Sequence, residues 1–593
     1  MTIEFGTWTL GLDGGEAPSR ELIGGKAWSV ARMRALGLNV PPAFVVTTRA
    51  CATYLATGAT PQSLEGEIAA AIAWLETQTS RRFGCAPHPL LVSVRSGAPV
   101  SMPGMMDTVL NLGMNDATEA ALADECGDPI FARDTHRRFL DLFARIVLKT
   151  GEIDLAADAH PARWREIIAA AGGSVSSDAH EQLHAALRAV FDSWNSRRAR
   201  RYRQHHDIPD SLGTAVTVQA MAFGNLDDRS GTGVLFSRNP LTGEAAPYGE
   251  YLPRAQGEDV VSGKFTPRPL TELAARLPAI HQELMAAADK LEAASGDVQD
   301  IEFTIERGRL YLLQTRAAKL APHAALRIAV EFVREGLLDE AAAIERLTPE
   351  QIRILLSPRL SDDVRRAAEP IAKGEGASPG VGIGVAVADS DEAEDRAKAG
   401  EAVVLARPTT SPEDLHGMIV AKAVVTERGG ATSHAAVVGR ALGLPCVVGC
   451  GTGSLAALIG KTVTVDGQSG AVFDGALPIE APDESDDDLL TIVARWASAR
   501  APLSVIPPSA AAAQDALDLR GDAAAADPQR IGEVLAACRG ARGARGGAIA
   551  SDEGVRAAIA AGLEFIVADP VLPPLLAAAR IGAGALAKDK VRA

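Results

Sequence analysis

One segment, residues 424–445, constrains the fold of this chain most strongly, because it joins a strand end, a glycine turn and a helix start in sequence order. Gly429 and Gly430 allow backbone conformations that are closed to residues with a side chain. Thr432 or Ser433 then stands where a hydroxyl caps the helix that follows. The segment therefore predicts a strand–turn–helix unit with His434 in the first turn of the helix.

The position of His434 suits a histidine that carries a phosphoryl group. Unpaired backbone N–H groups and the positive end of the helix dipole lie beside such a residue and stabilise an added dianion. The same environment disfavours the imidazolium form and keeps a neutral, nucleophilic nitrogen near pH 7. An isolated histidine is more often a core or capping residue, and these residues alone leave that alternative open.

The composition excludes several classes of protein. Of the 593 residues, 47% are hydrophobic and the formal net charge is -16, which fits several packed cores and disfavours nucleic acid or an anionic membrane as the main partner. Six cysteines are too sparse for a disulfide framework. The first residues lack a secretory signal and no run approaches 18 apolar residues, so we expect a cytoplasmic protein.

Two basic residues in the N-terminal part are candidates for binding phosphate. Lys26 follows Gly24 and Gly25, where backbone N–H groups can also approach phosphate oxygens. Arg95 ends a strand-like run and offers a bidentate fork to a phosphate. Taken singly, the first pattern is usually an ordinary turn and the second is as easily an ion-pair partner.

Two carboxylates further along are candidates for binding Mg²⁺. Asp300 and Glu302 are two residues apart in a predicted strand, so both side chains face the same side of the sheet. Carboxylate oxygens suit hard Mg²⁺ ions that bridge phosphates. Gln314 and Arg316 repeat this spacing on a partner strand, which a predicted hairpin at residues 306–309 connects to the first. The alternative for the acidic pair is a solvated strand face.

The T-x-R-G-G-x-T-S-H-A-A pattern around His434 resembles the phosphohistidine domain of the pyruvate phosphate dikinase and phosphoenolpyruvate synthase family. The resemblance implies that His434 is the phosphorylated histidine and that Thr432 occupies the position used for regulation in plant dikinases. Ala431 departs from the Met usual there. Four other segments resemble the family's ATP-grasp domain: residues 23–48, 90–116, 249–263 and 299–316. The SMPGMMDT stretch within residues 90–116 favours the phosphate-using dikinase branch.

The resemblance also implies roles for the other candidate residues. ATP and inorganic phosphate would bind to Lys26, Arg95, Gln314 and Arg316, and Mg²⁺ would bind to Asp300 and Glu302. Glu258 would contact the ribose or adenine side of the nucleotide.

The predicted fold class is α/β, with several domains. Residues 373–384 are rich in Gly and Pro and are interpreted as a hinge, and residues 481–488 form an acidic linker. The predicted domains are an ATP-grasp N-terminal lobe at 1–111, a helical insertion at 112–196, an ATP-grasp C-terminal lobe at 197–318, a helical linker at 319–375, a swivelling phosphohistidine domain at 376–480 and a small C-terminal α/β remnant at 489–593.

The resemblance implies an ATP-dependent dikinase-type phosphotransferase that forms a phosphohistidine. Complete members of the family continue into a pyruvate-binding (β/α)8 barrel, which needs about 250 residues, whereas 113 residues follow Glu480 here. We therefore expect the barrel to be missing or vestigial, with pyruvate as acceptor only if a separate subunit carries one. A small-molecule phosphotransferase and a non-catalytic nucleotide sensor remain alternatives. A homodimer is a further option, and no nucleic acid or membrane partner is expected.

Overall fold

The computed structural model describes residues 3–592 except 101, 103, 104, 262–264, 357, 358, 443, 481, 483, 485, 486, 521 and 539. Helices and several separate sheets alternate along it, which confirms the predicted α/β multidomain class. Among the described residues, no helix is long and apolar enough to cross a membrane.

The N-terminal part, residues 3–318, contains two antiparallel sheets whose strand orders are β1-β2-β3-β8-β6-β7 and β11-β10-β9-β12-β13. Its strands are β1 (Ile3–Glu4), β2 (Thr9–Gly11), β3 (Ala43–Val46), β4 (Arg82–Phe83), β5 (Pro89–Leu90), β6 (Val92–Gly97), β7 (Thr108–Leu112), β8 (Ala215–Ala220), β9 (Gly231–Phe236), β10 (Tyr248–Pro253), β11 (Arg268–Pro269), β12 (Gln299–Glu306) and β13 (Arg309–Ala317). Its helices are α1 (Arg20–Ala35), α2 (Thr48–Thr57), α3 (Leu64–Thr79), α4 (Asp116–Cys126), α5 (Pro129–Phe143), α6 (Pro161–Ala170), α7 (Ala179–Ser193), α8 (Arg197–His205), α9 (Gly257–Val261), α10 (Leu270–Arg276) and α11 (Pro278–Ser295).

The two sheets form the walls of a cleft. One face of the first sheet is covered by α2, α3, α5 and α7, while α1 packs between its other face and the second sheet. The predicted hairpin is confirmed: β12 and β13 pair antiparallel through residues 306–309, and Arg307 and Gly308 both have positive φ there. The register pairs Asp300 with Arg316 and Glu302 with Gln314. The hairpin therefore presents four of the candidate residues side by side.

The connector, residues 319–367, is helical and consists of α12 (Pro322–Arg334), α13 (Glu340–Arg346), α14 (Pro349–Leu355) and α15 (Asp362–Ala367). After it comes the histidine domain, residues 370–474, an eight-stranded mixed sheet with the order β14-β21-β20-β16-β17-β18-β19-β15. Its elements are β14 (Pro370–Lys373), β15 (Glu375–Ser378), β16 (Val381–Val387), α16 (Ser390–Lys398), β17 (Val403–Arg407), α17 (Leu415–Val420), β18 (Ala423–Thr426), α18 (His434–Leu442), β19 (Cys446–Val448), β20 (Thr462–Asp466) and β21 (Ala471–Asp474).

Residues 373–384, which the sequence suggested as a hinge, lie within this sheet instead. They contribute to β14, β15 and β16, and β16 pairs along its length with β17 and β20. Their glycines serve close packing: a Cβ on Gly382 would come within 2.1 Å of the carbonyl oxygen of Lys422. The glycine content that indicated a hinge therefore reflects a tightly packed sheet.

The C-terminal part, residues 487–592, is a four-stranded parallel sheet with the order β22-β25-β24-β23, covered by helices. It comprises α19 (Asp488–Ser498), β22 (Ser504–Ile506), β23 (Leu517–Asp518), α20 (Ala523–Ala526), α21 (Ile531–Ala537), β24 (Gly543–Arg545), α22 (Asp552–Ala560), β25 (Phe565–Val567) and α23 (Leu572–Arg592). Its helices share one hydrophobic core with α12, α13 and α14 of the connector. The amphipathic connector thus buries its apolar face against this part of the chain.

A buried arginine fastens the connector to the N-terminal part. Arg238 donates to both Glu292 of α11 and Glu335 at the end of α12, with distances of 2.6–2.9 Å, and its guanidinium lies over the ring of Phe332. These carboxylates, outweighing the opposite effect of burial, raise the pKa of Arg238 above its usual range. The connector is therefore fixed to the second sheet.

We predict that Arg238→Met lowers the free energy of unfolding by about 2 kcal/mol, because it removes a buried guanidinium and leaves the half-buried carboxylate of Glu292 without its partner. Arg334→Met is the matched control, since Arg334 forms an exposed pair with Glu331 on the same helix, and such pairs contribute less than about 1 kcal/mol. Urea unfolding measures both, and equal shifts in the two variants would contradict the role given to Arg238.

Candidate active site

The Gly-Gly-Lys segment is held against the end of β6 by close backbone contacts. Gly24 has φ of 73°, and a Cβ there would lie 1.8 Å from the carbonyl oxygen of Gly97. Gly25 donates its backbone N–H to the carbonyl of Ala98 over 2.9 Å. Only glycine fits the first position. These contacts place Lys26 next to the strand that carries Arg95.

Five of the sequence-predicted residues meet as a charged cluster in the cleft. Arg95 pairs with Glu302 and Arg316 with Asp300, each over 2.8 Å. Burial, together with the charges of Arg95 and Arg316, lowers the pKa of Lys26 to about 7, although Glu302 opposes the shift. Burial alone would raise the pKa of Glu302, but the neighbouring cations hold it below its usual range. The cluster has three basic and two acidic groups and so favours an anionic ligand.

The residues present also fit a Mg²⁺ ion. Asp300 and Glu302 supply carboxylate oxygens on one face of β12, paired here with arginines. Gln314 stands opposite Glu302, and its buried Oε1 has no hydrogen-bond partner among the described residues. An unpaired buried amide oxygen beside two carboxylates matches the oxygen ligands that Mg²⁺ takes.

Glu258, which the sequence predicted to contact the nucleotide, lies in α9. Its side chain lies outside the part of the chain that the structure describes. Its contact with the ribose or adenine side stays a prediction.

His434 is the first residue of α18 and is held from one side. Its Nδ1 lies 3.1 Å from the hydroxyl oxygen of Thr410, while its buried Nε2 has no hydrogen-bond partner among the described residues. Burial lowers the pKa of His434 to about 4, against an opposing effect of Asp414. The ring is therefore neutral near pH 7, as the sequence predicted, but burial rather than the helix dipole is the main cause.

The loop before His434 packs directly on β10 of the N-terminal part. Thr432 donates its hydroxyl to the carboxylate of Glu250, and a Cβ on Gly430 would come within 2.4 Å of that carboxylate. A second bond joins the hydroxyl of Tyr248 to Glu375 over 2.7 Å. Burial raises the pKa of Glu250. Sequence reasoning did not identify these contacts, since no motif marks Glu250, Tyr248 or Glu375.

The helix that begins at His434 shares a buried hydrophobic cluster with the loop that follows Arg95. Ala435 and Ala436 belong to the same cluster as Ala98 and Met105. Ala98 lies three residues after Arg95 in the chain. The histidine domain and the loop beside the charged cluster thus contribute to one buried core.

Comparison with known proteins finds two family matches in the chain. Residues 20–281 match the family described as "Pyruvate phosphate dikinase, AMP/ATP-binding domain", and residues 399–470 match "PEP-utilising enzyme, mobile domain". The chain is 41% identical to the pyruvate, phosphate dikinase of Clostridium symbiosum, over 83% of this chain and 60% of that protein. It is also 41% identical to the pyruvate, phosphate dikinase of Rhizobium meliloti, over 84% and 60%, and to pyruvate, phosphate dikinase 2 of Oryza sativa, over 80% and 58%.

The chain belongs to the pyruvate phosphate dikinase family. It spans about 60% of the length of the curated dikinases it matches. The first matched region contains Lys26 and Arg95 and the second contains His434. Asp300 and Arg316 lie beyond both regions, so their place in the cleft rests on the structure.

We predict that Gly24→Ala destabilises this dikinase-family protein by about 3 kcal/mol, since it combines left-handed strain with a clash against the Gly97 carbonyl. Gly37→Ala is the matched control, because Gly37 has a similar φ of 71° and a Cβ added there would meet nothing within 4 Å. It should cost only about 1 kcal/mol. Urea unfolding distinguishes the two variants, and equal costs would show that the contact with Gly97 is unimportant.

Proposed function

We propose that this protein is an ATP-dependent dikinase-type phosphotransferase that uses ATP, inorganic phosphate and Mg²⁺ to form phosphohistidine on His434. The observation that carries the proposal is the unpartnered, buried Nε2 of His434, whose helix shares a hydrophobic cluster with the loop that follows Arg95. Its relatives are named pyruvate, phosphate dikinase, and the proposed activity follows theirs.

The charged cluster would bind the phosphates of ATP. Lys26, Arg95 and Arg316 supply the positive charge that phosphoryl transfer requires. Mg²⁺ held by Asp300, Glu302 and Gln314 would neutralise further charge on the phosphate oxygens when bound.

The base would lie at the far end of the same cleft. A cavity of about 380 Å³ there is lined from both sheets, by Leu91 and Met221 on one side and by Glu306 and Tyr311 on the other. Glu302 and Glu306 lie on the same face of β12, four residues or ~13 Å apart. That separation suits an extended nucleotide whose phosphates reach the cluster.

The nucleophile would be the neutral imidazole of His434. Its Nε2 lone pair forms the bond to phosphorus as the bond from phosphorus to the leaving oxygen breaks, and no proton has to be removed first, because the attacking nitrogen carries none. In the full reaction ATP, phosphate and His434 give phosphohistidine, AMP and pyrophosphate. The dianion then lies at the start of α18, next to free backbone N–H groups.

The second acceptor would be pyruvate, held at a site distant from the ATP cleft. One histidine cannot reach two distant substrates from one position, so the histidine domain would leave its docked position between the two steps. A small-molecule acceptor remains the second candidate. The non-catalytic alternative is disfavoured by the convergence of Lys26, Arg95 and Arg316 with two carboxylates in one cleft.

We predict that protein incubated with Mg²⁺, phosphate and β-³²P-labelled ATP acquires an acid-labile label on His434, and that His434→Ala abolishes it. His416→Ala is the matched control, since His416 lies in the same domain and pairs with Asp391. It should retain full labelling. An acid-stable label, or a label that survives His434→Ala, would contradict the proposed function.

A second prediction concerns the phosphate fork. Arg95→Met should lower the labelling rate at least about 100-fold, because it removes a preorganised cation from the site of charge development. Arg82→Met is the control, because the side chain of Arg82 is largely exposed and forms only a loose ion pair with Glu76, with 3.6 Å between nitrogen and oxygen. This variant should label normally. Circular dichroism checks that both variants are folded. Wild-type labelling by folded Arg95→Met would remove the cluster from the reaction.

A further inference from the structure

We propose that Thr410 is a positioning residue that fixes the ring of His434, so that Nδ1 carries the hydrogen and Nε2 receives the phosphoryl group. This inference rests on the proposed function for its role in transfer. It starts from the 3.1 Å contact between the Thr410 hydroxyl and Nδ1, and from the unpartnered Nε2 on the other side of the ring. Thr410 was not among the residues that the sequence predicted for the site.

Thr410 is itself held firmly by the residues that follow it. It is 8% exposed and lies between β17 and a short 3₁₀ turn, Pro412–Asp414. Ser411 caps that turn and donates its backbone N–H to Asp414 over 2.8 Å. The Asp414 carboxylate also accepts from Ser390 over 2.8 Å and pairs with Arg407 over 3.1 Å. The hydroxyl of Thr410 is therefore presented from a rigid loop.

The tautomer follows from the cost of leaving a donor unpaired. If Nε2 carried the hydrogen, a buried N–H would have no acceptor among the described residues, and orphaned buried N–H groups are rare and costly. With the hydrogen on Nδ1, that N–H donates to the Thr410 oxygen, and the donor that needs another acceptor is the Thr410 hydroxyl, whose hydrogen can rotate to find one, whereas a ring N–H cannot. The lone pair of Nε2 is the one that attacks phosphorus.

The bond also keeps the same nitrogen in place through the reaction. Attack by Nε2 leaves a phosphorylated imidazolium whose Nδ1–H is retained and still donates to Thr410. Without the hydroxyl, rotation about the terminal torsion would exchange Nδ1 with Cδ2 and Nε2 with Cε1, so neither nitrogen would keep a fixed position toward the phosphate. We therefore expect loss of Thr410 to affect both the rate and the choice of nitrogen.

The first test needs no reaction. ¹⁵N NMR of histidine-labelled protein reports the tautomer of each ring, and a spectrum of His434→Gln identifies the signal of His434. Wild-type protein and Thr410→Ser should show hydrogen on Nδ1, whereas Thr410→Val should show a mixture or hydrogen on Nε2. Thr409→Val is the control, because Thr409 is the neighbouring threonine and bonds only weakly to a backbone oxygen, at 3.4 Å. It should match the wild type.

The second test reads the product. ³¹P NMR of the labelled protein distinguishes phosphorus on Nε2 from phosphorus on Nδ1. We expect only the Nε2 isomer in wild type, Thr410→Ser and Thr409→Val, and at least tenfold slower labelling with a mixture of isomers in Thr410→Val. Thermal unfolding checks that the variants are folded, and Thr410→Ala replaces Thr410→Val if the latter is not.

The outcomes separate the inference from the proposed function. If the wild type is not labelled, the proposed function fails, and the tautomer comparison still decides the inference. If the wild type is labelled and folded Thr410→Val keeps the wild-type tautomer, isomer and rate, the inference is overturned and the proposed function stands. A slower rate with an unchanged tautomer and a single isomer would also overturn it, because Thr410 would then not orient the ring.

Discussion

Charge balance in the cleft depends on one close backbone contact. Gly24 can approach the carbonyl of Gly97 because it lacks a Cβ, and that approach brings Lys26 to Arg95 on β6. Arg95 and Arg316 would repel each other and Lys26 if the carboxylates of β12 did not stand between them. The three basic groups outnumber the two carboxylates, and an anion beside them would favour the protonated form of Lys26. The ion pairs of Arg95 with Glu302 and of Arg316 with Asp300 thus leave the cleft with a preference for an anionic ligand.

The contact between the histidine domain and the N-terminal part is a second constraint, because it removes the carboxylate of Glu250 from water. Docking buries the carboxylate of Glu250, which raises its pKa, and the hydroxyl of Thr432 compensates by donating to it. Thr432 is 5% exposed in this position. Any group added to Thr432 would therefore have to displace Glu250, so modification at that position and docking exclude one another. The expected regulatory role of Thr432 remains a prediction, and this contact gives it a physical basis.

The sequence was informative where spacing alone determines geometry. The two-residue period of a strand placed Asp300 with Glu302 on one face, and a glycine pair ahead of a helix placed His434 at its start. The predicted cap is not formed by Ser433, whose hydroxyl has no hydrogen-bond partner among the described residues, and the Thr432 hydroxyl donates to Glu250. The sequence was uninformative where contacts join distant positions. Thr410 meets His434 across 24 residues and Glu250 meets Thr432 across 182, and a single threonine or glutamate has no local signature. Likewise, an amphipathic connector indicates an apolar face but does not tell which part of the chain covers it.

The C-terminal part covers the apolar face of the connector, and this packing restricts which parts of the chain can move relative to one another. Because α12, α13 and α14 share a core with the C-terminal part and Arg238 ties α12 to the second sheet, the connector cannot itself be the pivot without breaking buried contacts. The histidine domain is joined to the rest differently: Arg359 and Glu480 form an antiparallel bridge, so the chain enters and leaves the domain side by side. Rotation about paired entry and exit strands would disturb little of the domain core. The contacts that would separate are the polar bonds to Glu250 and Glu375 and the hydrophobic cluster shared with the N-terminal part. A domain that carried a reactive histidine between two substrates would turn at this bridge, and α15 would move with it through the pair of Arg365 and Asp466.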